Sequence, residues 1–530
     1  MKTKSLTDSE RGVAAFVAAH RQDVTGVLSG WDRLRMQGVL RPLYQPSAME
    51  SFLSRMGVRR VEFADYARSM TQRIRESAVA WAQAAGRSCV YLRKASVSKE
   101  EVAREIVARE GITHGPVGVL SAVEPCRTWQ ARGNRATQYL EFQLLPGKCI
   151  HLYFYLLHEQ MGLLHLRLQT WFPFLVQVCL NGREWLARQM QAAGVAFTKC
   201  GNCFTHLGDA LMAQKLAATQ AQTDWGAFLD GLLAECHPVH REVIAPLGLS
   251  YYWTAAQTEY ATDVMFAEAA PLRRLYPKFL RYGIEHFGSE DVLRFLGTKE
   301  PRLEIFKGEV TSDVKRRAEG VRIKHRREGN SLKMYDKQGQ VLRVETTIIH
   351  PEEFKVYRAK EGDPAGEKSW RDLRRGVADL HRRAQVSLAA NGRYLEALAA
   401  TETAQTLGEV LQPLCRRRTR QGRPFRALRP LAPEDWRLLQ AVNDGAFASN
   451  GFRNSDLRTA LFKKPAASRA EQSRQSALIS RRLALLRAHG LIRKISGSYR
   501  YHLTHQACRS INGLFTACAI SLADLEKLAA

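Results

Sequence analysis

Lys333, Tyr335, Arg343 and Glu345 combine the residue types that phosphoryl chemistry needs, within thirteen positions of one another. A tyrosine hydroxyl can attack phosphorus, a carboxylate can hold a divalent cation, and a lysine and an arginine can neutralise charge developing on phosphate. The segment carrying them, NSLKMYDKQGQVLRVETT at 330–347, has strand-like alternation around a Gln-Gly turn. A two-residue Gln338-Gly339 loop would put Tyr335 and Glu345 on opposite faces. A three-residue loop, Lys337-Gln338-Gly339, gathers Leu332, Met334, Leu342 and Val344 on one face and the four polar residues on the other. A slip of one residue flips every side chain, so the clean sorting favours the longer loop. Upstream, Val321, Ile323 and His325 alternate with Arg322, Lys324 and Arg326, extending the hairpin to a three-strand meander.

Tyr-Asp-Lys at 335–337 followed by Leu-Arg-Val-Glu at 342–345 resembles part of the rolling-circle replication initiators of plasmids and filamentous phages. The resemblance covers this hairpin alone. It implies nicking of DNA by a tyrosine beside a carboxylate-held divalent metal. The chain lacks the His-apolar-His metal motif that many such nickases carry. The bland reading is a hairpin with one polar face, Tyr335 half buried and Arg343 paired with Glu345.

Two ligand sets accompany this hairpin. Residues 251–266 read as a helix that places Glu259 and Asp263 at i, i+4, where they could join Glu345 around Mg²⁺; the competing reading is a solvated acidic stripe. Cys200, Cys203, Cys236 and His240 have a CxxC knuckle followed by a Cys/His pair, a set for Zn²⁺ or else buried free thiols. Asp32-Arg33 and Glu124-Pro125-Cys126 are further polar spots, read as surface turns or caps.

The elements that must position these groups emerge from the whole chain. Its 530 residues include 79 Lys and Arg against 52 Asp and Glu, a net +27 that calls for a polyanionic partner, DNA first and RNA second. From Thr406 onward there are 22 basic and 8 acidic residues, a net +14, so the preceding part carries the other +13. The N-terminus has no apolar signal core and no apolar run spans a bilayer, so a membrane partner is not expected. Ten scattered cysteines read as reduced thiols of a cytoplasmic protein.

The expected fold class is α+β. Residues 1–132 read as mainly helical, 133–350 as a mixed body with antiparallel hairpins, 351–405 as a helical extension and 406–432 as a basic linker. Within the body, 149–170 reads as a hairpin with Ile150, Leu152, Phe154 and Leu156 on one face. Tyr153, Tyr155, Arg167 and Trp171 share the other, either as a stacking platform for single strands or as core beneath helices. Gly422-Arg423-Pro424 in the linker resembles an AT-hook, with Arg423 for a minor groove, or is a plain basic tether. Residues 433–530 show three helices, a stop at Gly490 and an alternating hairpin, which together resemble a winged helix-turn-helix domain. That resemblance implies a third helix in the major groove carrying Gln475, Ser476, Ser480, Arg481 and Arg482, with Arg493, Lys494 and Arg500 on the wing. Two function classes follow: a DNA-processing, replication-initiator-like protein of a mobile element, or a non-catalytic regulator or RNA-binding scaffold.

Overall fold

The computed structural model describes residues 8–136, 138–298, 308–317, 320–360, 363, 365–399, 407–444, 447, 451–462, 466–495 and 498–521. It divides the chain into two units, Met1–Glu402 and Thr403–Ala530. The class is α+β, and among the described residues no helix is long and apolar enough to cross a membrane.

The first unit is organised on an eleven-stranded sheet in the order β10-β11-β12-β13-β9-β1-β6-β5-β4-β3-β2. Its early strands are β1 (Val24–Val39), β2 (Cys89–Tyr91), β3 (Gly115–Gly133), β4 (Leu140–His158), β5 (Gly162–Gln169) and β6 (Val176–Asn181). A small separate hairpin, β7 (Phe197–Cys200) and β8 (Cys203–Leu207), precedes β9 (Tyr252–Phe266). The far edge is β10 (Val310–Arg317), β11 (Gly320–Arg327), β12 (Asn330–Lys337) and β13 (Val341–Ile348). Among the described residues, only the β2–β3 pairing is parallel. A second hairpin, β14 (Lys355–Arg358) with β15 (Ser369–Asp372), stands outside the sheet.

The helices of this unit are α1 (Asp8–Ala19), α2 (Pro46–Arg55), α3 (Phe63–Ala84), α4 (Lys99–Glu110), α5 (Gly182–Ala192) and α6 (Ala210–Thr219). They continue with α7 (Trp225–Cys236), α8 (Ala269–Glu285), α9 (Ser289–Phe295) and α10 (Leu380–Ala399). One sheet face is apolar. Leu34, Met36, Phe154, Leu166 and Val178 pack with Phe52 of α2 and Phe63 and Met70 of α3. Val264, Leu332, Met334, Leu342 and Val344 pack with Leu275 and Phe279 of α8 and Tyr394 and Leu395 of α10. Each such side chain contributes about 1.5–3 kcal/mol on burial. The opposite face carries the charged residues of β9, β12 and β13, together with an apolar patch of Leu120, Tyr153 and Tyr155 under α4.

Three expectations change here. Residues 1–132 are not a helical region of their own, because they supply β1, β2 and β3 to the sheet. Residues 251–266 are strand β9 rather than a helix: Tyr, Trp, Thr and Val dominate the segment, and central pairing with β1 and β13 favours such residues. The helical extension expected over 351–405 opens instead with the β14–β15 hairpin, and its long helix starts only at Leu380.

The β12–β13 hairpin sorts its faces as expected, but the loop lies one residue later. Lys337 pairs with Val341 around Gln338-Gly339-Gln340, and both Gln338 and Gly339 take positive φ, 57° and 73°. Lys333 therefore faces Glu345, and Tyr335 faces Arg343. The β4–β5 hairpin sorts Ile150, Leu152, Phe154 and Leu156 from Tyr153, Tyr155 and Arg167 as expected, with Tyr153 opposite Arg167 and Tyr155 opposite His165.

In the second unit the stretch read as a linker is folded. After α11 (Leu407–Leu411), β16 (Arg418–Arg420) and β17 (Arg423–Phe425) form a hairpin turning at Gln421-Gly422, and Leu414 and Leu428 enter the unit's core. Then come α12 (Pro433–Val442), α13 (Asn454–Leu461), α14 (Arg469–Ala488), a hairpin of β18 (Ile492–Lys494) and β19 (Tyr501–Leu503), and α15 (His505–Ala519). Phe452 adds a bridge to Tyr501 beside that hairpin. Leu438, Leu457, Ile479, Leu483, Leu486, Ile492 and Ile511 form the core. The expected wing turn at Ser496-Gly497-Ser498 falls partly outside the described residues.

Candidate active site

The polar face of the sheet brings together groups from four neighbouring strands. Lys333 and Tyr335 come from β12, Arg343 and Glu345 from β13, Glu259 and Asp263 from β9, and Asp32 from β1. Asp32 arrives by way of a bulge. The β1–β9 register jumps between Trp31, opposite Tyr260, and Arg33, opposite Glu259. The extra residue turns Asp32 onto the same face as Arg33, the re-aiming that bulges supply next to functional groups. Beyond β6, the free side of β1 is flanked by α6, whose Gln214 amide bonds both the N–H and the C=O of Ser29.

Two close ion pairs organise the cluster. Arg343, fully buried, donates to both oxygens of Asp263 at 2.6 and 2.8 Å and to the Asn202 carbonyl at 2.8 Å. Arg183 of α5 adds a contact of 3.1 Å to Asp263. Lys333 donates to Glu345 at 2.6 Å, and the Tyr335 hydroxyl donates to the other Glu345 oxygen at 2.6 Å. Asp32 and Glu259 receive only the long cationic contacts, 3.3 Å from Arg343 and 3.4 Å from Lys333. Neutral amides complete them: Asn202 donates to Asp32 at 2.8 and 3.0 Å, and Gln257 to Glu259 at 3.0 Å. Oxygens of Asp32, Glu259 and Glu345 lie within 4.8 Å of one another.

The electrostatics follow this division. Burial opposes ionisation of Glu345, yet Lys333, Tyr335 and Arg343 hold its carboxyl at about 2. Burial raises the carboxyls of Asp32 and Glu259 above their ordinary values, with Glu345 repelling both. A divalent cation between these two acids and Glu345 would remove that penalty, and one or two carboxylates with phosphate oxygens is a normal Mg²⁺ environment.

A cationic row borders the acids. Lys324 on β11 lies directly across from Lys333, between Arg322 and Arg326. Burial first, then repulsion from Lys333, Arg326 and Arg322, pushes the Lys324 ammonium down to about 8. Asp313 answers Arg326 at 2.7 Å and Arg322 at 3.8 Å. Arg33 and Arg35 on β1 are exposed on the other side. Such a row is suited to phosphate oxygens. Ser331 and Thr347, paired across β12–β13 on this face, have buried hydroxyls with no hydrogen-bond partner.

The structure revises the sequence-based site in four places. Asp263 is engaged by two arginines, and the acids that converge with Glu345 are Asp32 and Glu259. Arg343 is a positioning group under the acids, since no solvent or substrate reaches it. Tyr335 is no ready nucleophile: burial raises its hydroxyl well above the ordinary phenol value, Glu345 adds to this, and its proton is committed to Glu345. Cys200, Cys203, Cys236 and His240 do not converge. Among the described residues, the groups of three or more ligating residues within 4.8 Å are Asp32–Glu259–Glu345 and Cys126–Cys149–His151. Cys203 lies near Asp263 and Arg343, whereas Cys236 packs in α7 with Glu235 as its charged neighbour.

Of the two readings of the Tyr153 and Tyr155 face, core beneath a helix is the one the structure bears out. Tyr153 and Tyr155 are buried with Ala103 and Ile106 of α4. Tyr153 donates to Glu124 at 2.8 Å, and Lys99 and Arg167 each bind Glu124 at 2.8 Å. Trp171 lies past the end of β5, edge-on to Phe63, with its indole N–H on the Trp129 carbonyl. Exposed aromatics stand elsewhere, on β14–β15, where Tyr357 and Trp370 pair with ring centroids 5.8 Å apart. Their alternation was too short to single out in the sequence.

In the second unit, Arg481 and Ser480 on α14 and Arg493 and Lys494 on β18 are exposed, while Gln475, Ser476 and Arg482 are half-buried. Asn454 of α13 bonds the Ser476 carbonyl and the Ser480 hydroxyl, both at 2.9 Å, so these serines tie the two helices together. Arg500 donates to the Gly451 carbonyl at 3.2 Å. Arg474, two turns before Arg481, is exposed and belongs with it; helical spacing would have found it. Arg423 is exposed at the tip of the β16–β17 hairpin.

No family model, curated protein or solved structure matches this chain.

Proposed function

We propose that this protein binds DNA and processes it by metal-dependent phosphoryl transfer, as a replication-initiator-like nickase or nuclease of a mobile element would. The observation that carries the reading is the convergence of Asp32, Glu259 and Glu345 within 4.8 Å beside the Lys324–Lys333 row. In this scheme Asp32, Glu259 and Glu345 would hold a divalent cation, which would supply Lewis-acid activation of water and of the phosphate, while Lys333 and Lys324 neutralise the phosphate charge. Arg343 fixes Asp32 from below, and Tyr335 orients Glu345.

DNA binding is assigned to the second unit. Its order of three helices, a strand hairpin and a further helix supports a winged helix-turn-helix reading, with Arg474 and Arg481 of α14 facing the duplex. The net +14 from Thr406 onward adds the sequence-independent attraction. The paired Tyr357 and Trp370, flanked by Lys355 and Arg371, would stack unpaired bases.

One observation favours a non-catalytic scaffold instead: Lys333 bridges Glu345 and Glu259, placing an ammonium where a metal would sit. Incubating the full chain with labelled single- and double-stranded DNA and Mg²⁺ or Mn²⁺ separates the readings. Metal-dependent cleavage that disappears in Asp32→Asn and Glu259→Gln supports the enzyme. Tight, salt-dependent binding with no product under either metal assigns the scaffold.

A further inference from the structure

The polar face carries a second convergence of ligating groups, independent of the acids. Cys126 lies on β3 and Cys149 and His151 on β4, where Glu124 pairs with Cys149 and Ala122 with His151. Cys126 and Cys149 are therefore diagonal neighbours on one face, with their sulfurs 3.4 Å apart. One ring nitrogen of His151 lies within 4.8 Å of both sulfurs. The residue opposite Cys126 is Gly147, which sets no side chain against the thiol.

Two further features point to a ligand. His151 is fully buried and its Nε2 has no hydrogen-bond partner, an arrangement that costs free energy unless something binds there. Its Nδ1 lies 3.3 Å from the Cys149 carbonyl. A proton on Nδ1 would donate to that oxygen and leave Nε2 as a ligand, the usual support for a metal-binding histidine.

We propose that Cys126, Cys149 and His151 form a binding site for one zinc ion. Two thiolates and an imidazole supply three corners of a tetrahedron and leave the fourth to water. Binding releases one proton from each thiol as each sulfur–zinc bond forms. A disulfide would engage the two sulfurs alone and leave the His151 nitrogen unsatisfied, whereas zinc satisfies all three groups.

The test uses the full chain purified without chelator. Elemental analysis should find about one zinc per chain, and replacement by Co²⁺ should give a sulfur-to-cobalt charge-transfer band. Both should disappear in Cys126→Ser and Cys149→Ser, with folding checked by circular dichroism, and weaken in His151→Gln. Both should persist in a Cys200→Ser, Cys236→Ser double variant. Wild-type protein with less than about 0.1 zinc per chain and no band after Co²⁺ addition would overturn the site. So would a mass two hydrogens short with no bound metal, or a band that survives Cys126→Ser and Cys149→Ser.

Discussion

The polar face contains the same local arrangement twice, with different outcomes. In one place Tyr335 and Lys333 both donate to Glu345; in the other Tyr153 and Lys99 both donate to Glu124. Each carboxyl is held at about 2 against the pull of its burial. Around Glu124 the account closes, because Arg167 is a second cation for a single carboxylate and α4 covers the tyrosine. Around Glu345 it does not close. Asp32 and Glu259 share the space, and the nearest cations are committed to Glu345 and Asp263. A tyrosine, a carboxylate and a lysine therefore make a lock in one setting. Only the additional acids and the neighbouring Lys324 give the other setting a use for a metal and a phosphate.

Removing the shared carboxylate should separate the two places most sharply. Glu345→Gln should lower metal-dependent cleavage by more than about 100-fold, because it takes away a metal ligand. Glu124→Gln should leave cleavage within about threefold and instead cost about 1–3 kcal/mol in denaturant unfolding, the penalty for unpairing buried partners. Equal losses of activity in the two variants would mean that the sites do not differ in the way their charges indicate.

Arg343→Ala should give the largest loss of stability, about 3–5 kcal/mol, since it strands Asp263 and Asp32 without their arginine. Arg183 retains a contact to Asp263, so a value near the lower end is consistent. Urea unfolding measures this directly. A loss below about 1 kcal/mol would show that the pair is solvated and that Arg343 is free to meet substrate.

Changing pH sharpens the contrast within the cluster, because its acids have opposite signs. Glu345, depressed to about 2 from 4.5, contributes stability that is complete above its ordinary value and fades as pH falls towards 2. Asp32 and Glu259 are raised, so the fold holds their protons more tightly than the unfolded chain does. Ionising them as pH rises above the ordinary carboxylate range subtracts stability. A divalent cation needs the ionised forms. Mn²⁺ should therefore raise Tm more at pH about 8 than at pH about 5, with a stabilisation of about 2.7 kcal/mol where it is present at a hundredfold excess over Kd. Asp32→Asn should flatten the difference. A thermal scan that shows no pH-dependent metal effect in the wild type removes the metal from the scheme.

How much of this was legible depended on how each strand is buried. The β12–β13 hairpin has one apolar face and one polar face, so its period of two in the sequence identifies both faces and gathers Lys333, Tyr335, Arg343 and Glu345 on one of them. β9 is almost continuously buried from Tyr260 to Phe266, which erases the alternation, and Glu259 and Asp263 then look equally at home on a helix. In β1 the bulge at Asp32 puts two successive residues on one face, so the periodic pattern breaks at the residue that matters most. Asp263 is favoured over Asp32 by its i, i+4 spacing to Glu259, a spacing that has no meaning once the segment is a strand. Burial also decided between the two readings of Tyr153 and Tyr155, and no pattern within β4 records that α4 lies above them. The same holds for 406–432, where Leu414 and Leu428 anchor a hairpin that composition presents as a basic tether.

The smallest expected effect is the most discriminating for mechanism. If Tyr335 were the nucleophile, Tyr335→Phe would abolish cleavage and the wild type would trap a covalent tyrosyl–DNA adduct. Its geometry argues otherwise. The hydroxyl is buried, its proton is held by Glu345 at 2.6 Å, and burial together with the Glu345 charge makes the phenolate harder to form than in water. A nucleophile needs the reverse, a hydroxyl whose proton is drawn off by a base able to keep it. Glu345, held at about 2 by Lys333 and Arg343, is a poor base of that kind. Tyr335→Phe should therefore reduce cleavage by no more than about tenfold, the scale of losing one outer-shell hydrogen bond to a metal ligand, and yield no adduct. The residual activity should also require more Mg²⁺ for half-saturation, because Glu345 is less well oriented. An adduct on denaturing gels, lost in Tyr335→Phe, would reverse this assignment and make Tyr335 the attacking group that the hairpin's resemblance to rolling-circle initiators implies.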